Sequence, residues 1–338
     1  MACWTSWRPN CARTKDKVTS EFELIARYFT RPTPHAVQGV GDDGAIVRVA
    51  SGMELVITTD MLVAGTHFLP DAEPEALGWK TLAVNVSDLA AMGAQPRWAV
   101  VAVALPGVDE PWIAALARGL FACADAFGID IIGGDTTRGP LNLCPTLFGE
   151  APRGQALLRS GAQQGDEIWL SGAPGLAALG LAHSQGRCVL REPALTDCLA
   201  ALNRPQPRVA LGIALRGIAS AAIDVSDGLL ADLGHILERS GVGATLHLDL
   251  LPDAAHAACA DPALARDCLL AGGDDYELLF TAAPGRRARI EALAGELGLA
   301  LTAIGNIVPG SALTLQDADG RVVAVPHRGY DHFARTSP

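Results

Sequence analysis

The stretch EPEALGWKTLAVNVSDLAAMGAQPRWAVVAVAL, residues 73–105, contains a helix pattern followed directly by a strand pattern. Pro74 stands near the start of segment 73–94, in which apolar residues recur at helical spacing. Segment 97–105, RWAVVAVAL, is a continuous apolar run with the length of a buried strand. The stretch therefore predicts a helix and a buried strand in succession, as in an α/β fold.

Helix and strand patterns also alternate on both sides of this stretch. The sequence predicts a short amphipathic helix at 21–31, a second long helix at 109–127, and strands at 54–59, 129–134 and 141–150. Together these elements predict an N-terminal α/β domain over residues 21–152. Residues 1–20 are polar and irregular, and we exclude this N-terminal extension from the fold.

A second run of alternating patterns fills the rest of the chain. Strands are predicted near 166–172, 220–225, 244–249, 276–281 and 300–305, with helices between them. The polar segment RSGAQQGD, residues 159–166, carries two glycines and is a predicted linker. The fold class is therefore α/β (α+β), with a second α/β domain over residues 153–338.

Composition limits the classes of partner. The chain has 338 residues, of which 49% are hydrophobic, and 26 Lys and Arg stand against 37 Asp and Glu. The net charge of -11 disfavours binding to nucleic acid or to an anionic membrane, since both require a basic surface. The longest apolar run, residues 98–106, is roughly half of what a bilayer span requires, and the N-terminus lacks a secretory pattern. These features predict a cytoplasmic protein.

The eight cysteines are dispersed, with no CxxC pair and no His at zinc-like spacing. This arrangement favours neither a disulfide framework nor a zinc site.

Six short segments place Asp beside Gly, Ser or Thr. They are GVGDDGAIV (39–47), ITTD (57–60), VSDL (86–89), GGDTTRG (133–139), DVSDG (224–228) and GGDDYELLF (272–280). Mg²⁺ prefers oxygen ligands and is normally shared between one or two carboxylates and the phosphates of a nucleotide. Several of these segments brought together would hold a group of Mg²⁺ ions around a triphosphate.

Each segment taken alone also has a structural interpretation. Asp and Ser at a helix start bind free backbone N–H groups, and Ser226 or Asp227 would cap the helix predicted after them. For any one segment the turn or cap is the favoured interpretation, whereas six in one chain favour joint metal binding.

Other nucleotide-binding motifs are absent. There is no P-loop, no protein-kinase signature and no strand followed by GxGxxG, so phosphate binding would depend on metals and on isolated cations. The candidate cations are Lys80, Arg138 and Arg159, although each is more commonly a solvated surface charge. His67 is a candidate polar contact to substrate, although a buried, hydrogen-bonded histidine is the more common case, and His235 is expected to be structural.

The motifs, in order, are GVGDDGA, TTDMLVAGTHF, KTLAVNVSDLAAMGA, GGDTTRG, DVSDGLLADLGHI, GGDDYELLF and RGYDHF. Together they resemble the thiamine-monophosphate kinases, in the superfamily that also holds aminoimidazole ribonucleotide synthetase and selenophosphate synthetase. The resemblance covers roughly residues 21–335. It implies transfer of the γ-phosphoryl group of ATP to thiamine monophosphate, and a homodimer whose N-terminal domains pair their sheets into a barrel-like interface.

The resemblance also implies roles for individual residues. The implied Mg²⁺ ligands are Asp43, Thr58, Thr59, Asp60, Asp88, Asp135, Asp224 and Asp227. The implied ATP contacts are Gly134, Asp135, Arg159 and Ser226. The implied contacts to thiamine monophosphate are His67, Asp274 and Tyr330. No covalent nucleophile is implied.

Two features depart from the family. Asp274 stands where the family usually has Glu, and the N-terminal extension is longer than usual. Two alternatives stay open: another ATP-using enzyme of the superfamily, or a non-catalytic protein that binds metal or nucleotide.

Overall fold

The structure, a computed structural model, describes residues 20–324 and residue 329. The predicted irregular extension therefore falls almost entirely outside the described residues, and so does Tyr330. The first described helix, α1 (Glu21–Leu24), begins with Ser20 and Glu23 capping each other, and it continues as a π-helical turn, Ile25–Phe29. The predicted helix at 21–31 thus ends at Phe29.

Five strands and two long helices follow. They are β1 (Met53–Thr59), β2 (Leu62–Val63), α2 (Pro74–Ala91), β3 (Gln95–Leu105), α3 (Glu110–Phe127), β4 (Asp130–Arg138) and β5 (Asn142–Pro152). The strands form one sheet in the order β1-β5-β3-β4, with β2 paired to β5. Only β3 and β4 are parallel, and the remaining pairs are antiparallel. Strands β1 and β4 therefore lie at opposite edges.

Helix α2 is buried on nearly all sides. Leu82, Val86 and Leu89 have no exposed surface, because the helix packs on the sheet, against α3 and against elements of the second half of the chain. Its contact with α3 is close: a Cβ at Gly119 would lie 1.7 Å from Glu75 O, and one at Gly78 would lie 2.0 Å from Leu116 O. Glycines at these two positions let the helix backbones meet.

The second half of the chain forms another sheet. Its strands are β6 (Glu167–Ser171), β7 (Ala221–Asp224), β8 (Gly243–His247), β9 (Leu278–Ala282), β10 (Leu301–Val308) and β11 (Leu313–Gln316), in the order β11-β8-β10-β6-β9-β7. The helices beside it are α4 (Leu176–Ser184), α5 (Ala194–Asn203), α6 (Val209–Ala214), α7 (Leu229–Ser240), α8 (Ala254–Ala258), α9 (Pro262–Ala271) and α10 (Arg287–Leu297). Only β8 and β11 pair in parallel.

One hydrophobic core joins the two sheets. Buried Leu82 and Leu89 of α2 belong to the same apolar cluster as Trp169 of β6 and Phe280 of β9. A second cluster lies within the C-terminal half, between its sheet and α7 and α9. The two halves are therefore packed together through α2.

The predicted mixed fold with two sheets is confirmed. Most strand pairs are antiparallel, so the α+β description fits the sheets better than a parallel α/β description. The first sheet is open within the chain and is not closed into a barrel. No helix in the described part is both long and apolar enough to span a bilayer.

Candidate functional site

A cleft of about 320 Å³ opens between the two halves of the molecule. Five carboxylates line it: Asp60, Asp88, Asp224, Asp227 and Asp274. Elements distant in sequence thus bring together acids from four of the six segments in which Asp stands beside Gly, Ser or Thr.

The N-terminal half contributes Asp60 and Asp88. Asp60 directly follows β1, and Asp88 lies on α2 one turn after Asn85. Asn85 Nδ2 donates to Asp60 Oδ2 at 2.5 Å and contacts Asp88 Oδ2 at 3.4 Å, and the Thr58 hydroxyl donates to Asp88 Oδ2. A buried amide and a strand hydroxyl therefore fix both carboxylates.

The C-terminal half contributes Asp224, the last residue of β7. Its side chain reaches the N-terminal half, because Ser87 Oγ donates to Asp224 Oδ2 at 2.7 Å. Asp224 is only 2% exposed, so this hydrogen bond is shielded from water. Ser87 therefore binds an acid of the C-terminal half, while the next residue of the same helix, Asp88, is one of the acids of the N-terminal half.

The carboxylates disfavour one another's ionised forms. Asp60 lies at the accessible rim, but the surrounding protein displaces water from its carboxylate, and with the nearby Asp88 and Asp227 this raises its pKa to about 6. Burial also raises the pKa of Asp88, and burial and then the charge of Asp88 raise the pKa of Asp224 well above its ordinary range. A cation in the cleft would relieve this repulsion.

Asp232 shapes the loop after β7. Its Oδ2 accepts from the backbone N–H groups of Ser226, Asp227 and Gly228 at 3.0, 3.1 and 3.1 Å. Burial raises the pKa of Asp232 to about 7. The N-cap of α7 is Gly228, which makes no side-chain cap, so capping by Ser226 or Asp227 is not observed and the side chains of both line the cleft.

Asp274 is fixed from two sides. Lys80 Nζ lies 3.1 Å from its Oδ2, and the Tyr276 hydroxyl donates to its Oδ1 at 2.9 Å. Both Asp274 and Tyr276 have positive φ, 68° and 53°, which is unusual for residues with a Cβ. Lys80 is buried, so its interpretation as a solvated surface charge is wrong.

The other predicted site residues near the cleft, from both halves of the chain, differ in position. His67 lines the cleft, and its Nδ1 accepts from Val63 N at 3.0 Å. The Thr59 hydroxyl instead donates to Pro145 O at 2.9 Å, since neighbouring residues of a strand point to opposite faces. Arg159 is exposed and lines a second depression, of about 430 Å³, whose wall also includes Asp88 and Asp224. Its charge acts to lower the pKa of Asp88. Arg138 is exposed.

Asp43, Gly134 and Asp135 line a different cavity, of about 990 Å³. Gly134 and Asp135 belong to β4, at the sheet edge opposite β1. A Cβ at Gly134 would lie 2.1 Å from Val101 O, so close approach of β3 explains this glycine. The structure therefore separates these three candidates from the cleft that holds Asp60.

The chemistry of the cleft fits divalent cations. No three His, Cys, Asp or Glu side chains among residues 20–324 and 329 converge on a single point, so the protein alone does not complete a metal site. This suits Mg²⁺, which usually takes one or two carboxylates and completes its shell with water and phosphate oxygens. Beside Asp60 and Asp88, the buried Asn85 Oδ1 has no hydrogen-bond partner within the described chain.

Three residues around the cleft, Asn85, Asp232 and Tyr276, were not predicted from the sequence, and Lys80 was predicted only as one of three candidate cations. Asn85 and Lys80 lie in the KTLAVNVSDL motif at apolar-to-polar changes within a buried helix, which was an available signal. No sequence pattern distinguished Asp232, because its position matches the polar face of an ordinary amphipathic helix.

The chain has an acidic cleft between two α/β halves that share a core, and this arrangement can be compared with protein families of the same architecture. Two family models match the chain: the N-terminal domain of AIR synthase related protein over residues 41–151, and its C-terminal domain over residues 163–318.

Individual relatives narrow the class. The thiamine-monophosphate kinase of Salmonella typhimurium strain LT2 is 46% identical, over 93% of this chain and 98% of its own. The crystal structure of the enzyme of that name from Stenotrophomonas maltophilia K279a has a TM-score of 0.80 and 47% identity, covering 89% of this chain and 96% of that one. AaThiL complexed with AMPPCP and TMP has a TM-score of 0.74 and 30% identity, covering 93% and 97%. The chain therefore belongs to the thiamine-monophosphate kinases of the AIR synthase related family.

Proposed function

We propose that this chain transfers the γ-phosphoryl group of ATP to the phosphate of thiamine monophosphate, forming thiamine diphosphate and ADP. The observation that carries the proposal is that five carboxylates line one cleft in a member of the thiamine-monophosphate kinases. A related structure, AaThiL, contains AMPPCP and TMP. Consumption of ATP also favours the cytoplasm as the location.

The cleft suits this reaction through charge. Both substrates are anionic where they react, so carboxylates would repel them unless divalent cations lay between. We propose Asp43, Thr58, Thr59, Asp60, Asp88, Asp135, Asp224 and Asp227 as the Mg²⁺ ligands. When bound, Mg²⁺ supplies charge compensation for the phosphoryl group during transfer.

The residues of the chain would otherwise act by positioning. The attacking atom is already an anionic phosphate oxygen, so the reaction needs in-line alignment and no general base or covalent nucleophile. Gly134, Asp135, Arg159 and Ser226 are the proposed ATP contacts. His67, Asp274 and Tyr330 are the proposed contacts to thiamine monophosphate. Gly329, which precedes Tyr330 in the sequence, packs against Asp227 and Ala231.

We further propose a homodimer formed by the N-terminal domain, residues 21–152. Strands β1 and β4 are separated by two strands, which places their axes about 14 Å apart at the usual strand spacing. One chain alone therefore presents Asp60 and Asp135 at distant edges. Pairing of two open sheets into a barrel would bring β4 of one protomer to β1 of the other and unite the two groups.

Formation of thiamine diphosphate tests the function. Purified protein incubated with ATP, Mg²⁺ and thiamine monophosphate should form thiamine diphosphate and ADP in equal amounts. Chromatography of the reaction mixture measures both products. Omission of ATP, or chelation of Mg²⁺ with EDTA, should stop the reaction. ATP binding without thiamine diphosphate would support a non-catalytic nucleotide-binding protein, and ATP consumption with another acceptor would support another enzyme of the superfamily.

A further inference from the structure

Lys80 stands out among the residues that line the acidic cleft. It is the one Lys or Arg in the cleft wall within the described chain, facing five carboxylates. It lies on α2 and is only 4% exposed. An ammonium group is buried at a cost unless it is paired and hydrogen-bonded, so its partners indicate its role.

Two acceptors hold the ammonium group. Lys80 Nζ lies 3.1 Å from Asp274 Oδ2 and donates to Leu202 O at 3.0 Å. Leu202 is in the last turn of α5, where carbonyls lack helical partners and the helix dipole favours a cation. The accessible fraction of the Lys80 side chain is 6%, against 30% for Asp274, so within this pair the carboxylate is the group presented to the cleft.

Asp274 is held in a fixed orientation. Besides Lys80 it contacts the Tyr276 hydroxyl at 2.9 Å, and its backbone N–H donates to Ser226 O at 2.9 Å. The positive φ of Asp274 and of Tyr276 is costly for residues with a Cβ, and such strain is found mainly where the surrounding structure imposes a functional geometry.

The carboxylate keeps unused acceptor capacity. It offers about four acceptor sites, of which Lys80 occupies one on Oδ2 and Tyr276 one on Oδ1. Because Lys80 neutralises its charge, Asp274 acts as an oriented hydrogen-bond acceptor rather than as a free anion. Apolar Met61, Leu62 and Leu181 line the same cleft, so an organic ring bound there would meet apolar side chains as well as the oriented acceptor. A phosphate oxygen is itself an acceptor and would gain no hydrogen bond from the Asp274 carboxylate.

We propose that Lys80 and Tyr276 are positioning residues that orient Asp274 to receive the organic part of the substrate, its aminopyrimidine and thiazolium rings, and that Lys80 does not contact the substrate phosphate. The inference rests on the proposed function, and it states which part of thiamine monophosphate Asp274 binds. It assigns a specificity role to two side chains that do not touch the reacting atoms.

Binding measured without ATP tests this proposal. Dissociation constants for thiamine and for thiamine monophosphate are determined by calorimetry in the presence of Mg²⁺. Lys80→Met should weaken both ligands equally, by about tenfold, and Tyr276→Phe should weaken both by roughly threefold or more, in the range for loss of an ordinary hydrogen bond. Tyr28→Phe is the matched control, since its hydroxyl bonds to Glu110 at 2.8 Å, outside the cleft, and it should change neither constant.

A double-mutant cycle separates positioning from other roles. In an Asp274→Asn background, Lys80→Met should have little further effect, because its target is already altered. Weaker binding of thiamine monophosphate with unchanged binding of thiamine would make Lys80 a phosphate contact and overturn the proposal. Unchanged constants for both ligands, or a full effect of Lys80→Met in the Asp274→Asn background, would also overturn it.

Two variants remain decisive if Lys80→Met does not fold. Tyr276→Phe keeps the buried ring, and Lys80→Met with Asp274→Asn removes both charges of the buried pair. That double variant should bind both ligands no more weakly than Asp274→Asn alone, and clearly weaker binding would overturn the proposal. Thiamine diphosphate formation is measured separately, so a failed proposed function is distinguished from a failed positioning role.

Discussion

The side chains around Asp60 show how neighbours prepare a single residue for its role. Asn85 donates to Asp60 and contacts Asp88, and the Thr58 hydroxyl donates to Asp88. These donors fix the carboxylates, while the repulsion among the acids favours a bound cation. Geometry and charge at this point therefore fit the proposed metal site.

Asp60→Asn and Asp88→Asn should each lower turnover by roughly 100-fold or more, because loss of a carboxylate ligand weakens binding of Mg²⁺, whose charge compensation contributes several kcal/mol. Steady-state rates of thiamine diphosphate formation check this. Asp249→Asn, at an exposed position outside the cleft, should keep the wild-type rate. Rates near wild type in both cleft variants would return the two segments to a purely structural role.

Asp60 also predicts a pH dependence of stability in protein freed of divalent cations. Its folded pKa is about 6, above the ordinary value of 3.8, so the folded state binds the proton more tightly than the unfolded state does. The contribution of Asp60 to stability is thus fully present at low pH and is lost as pH rises from about 4 through about 6. Thermal unfolding in EDTA should show the melting temperature of Asp60→Asn rising relative to wild type across this window, and a constant difference would contradict the assignment.

At the scale of elements, α2 organises the molecule. Its residues Lys80, Ser87 and Asp88 all contact or face acids of the cleft, and its other sides are buried. Ser87 and Lys80 bond to the C-terminal half, at Asp224 and Asp274. The position of this helix therefore sets the geometry of the site.

Gly119→Ala should destabilise the protein by about 2 kcal/mol, because the new Cβ meets the α2 backbone at Glu75 O and neither helix can move without repacking. The expected fall in melting temperature is roughly 3 °C for a chain of this size. Gly234→Ala in α7 is the control: nothing lies within 4 Å of its Cβ, so helix propensity should leave stability unchanged or raised by about 0.5–1 kcal/mol. Equal effects of the two substitutions would argue against the close contact.

At the scale of the whole molecule, the candidate ligands fall into two groups. Asp60, Asp88 and Asp224 line the interdomain cleft, whereas Asp43 and Asp135 line the larger cavity by β4. A homodimer that joins β4 to the partner's β1 would reunite them. The two groups therefore provide a direct test of assembly.

Co-expressed Asp60→Asn and Asp135→Asn chains, carrying different tags, should form mixed dimers with one intact site, although each variant alone is inactive. Random pairing restores about a quarter of the wild-type sites. Activity of the doubly purified mixed dimer checks this, with sedimentation velocity to establish its mass. Inactive mixed dimers would show that both residues must come from the same chain.

The pattern of elements was predictable because it is local. The apolar periodicity of 73–94 and the run at 97–105 depend on neighbouring residues only, and the structure has α2 and β3 there. Ends of elements were less predictable: the first helix changes to a π-helical turn at Ile25 and ends at Phe29. The domain limits at residues 21, 152 and 153 stay predictions.

The sequence by itself determined the alternation of elements, the acidic segments and the family resemblance, since all three are properties of residue order. Tertiary structure alone decided that Ser87 meets Asp224 and that Lys80 meets Asp274, across separations of 137 and 194 residues. It also placed Asp135 away from Asp60, although each lies in a motif with a single Asp beside Thr. The physical reason is that contacts between distant segments are set by the packing of α2 between the two sheets, which no local pattern encodes.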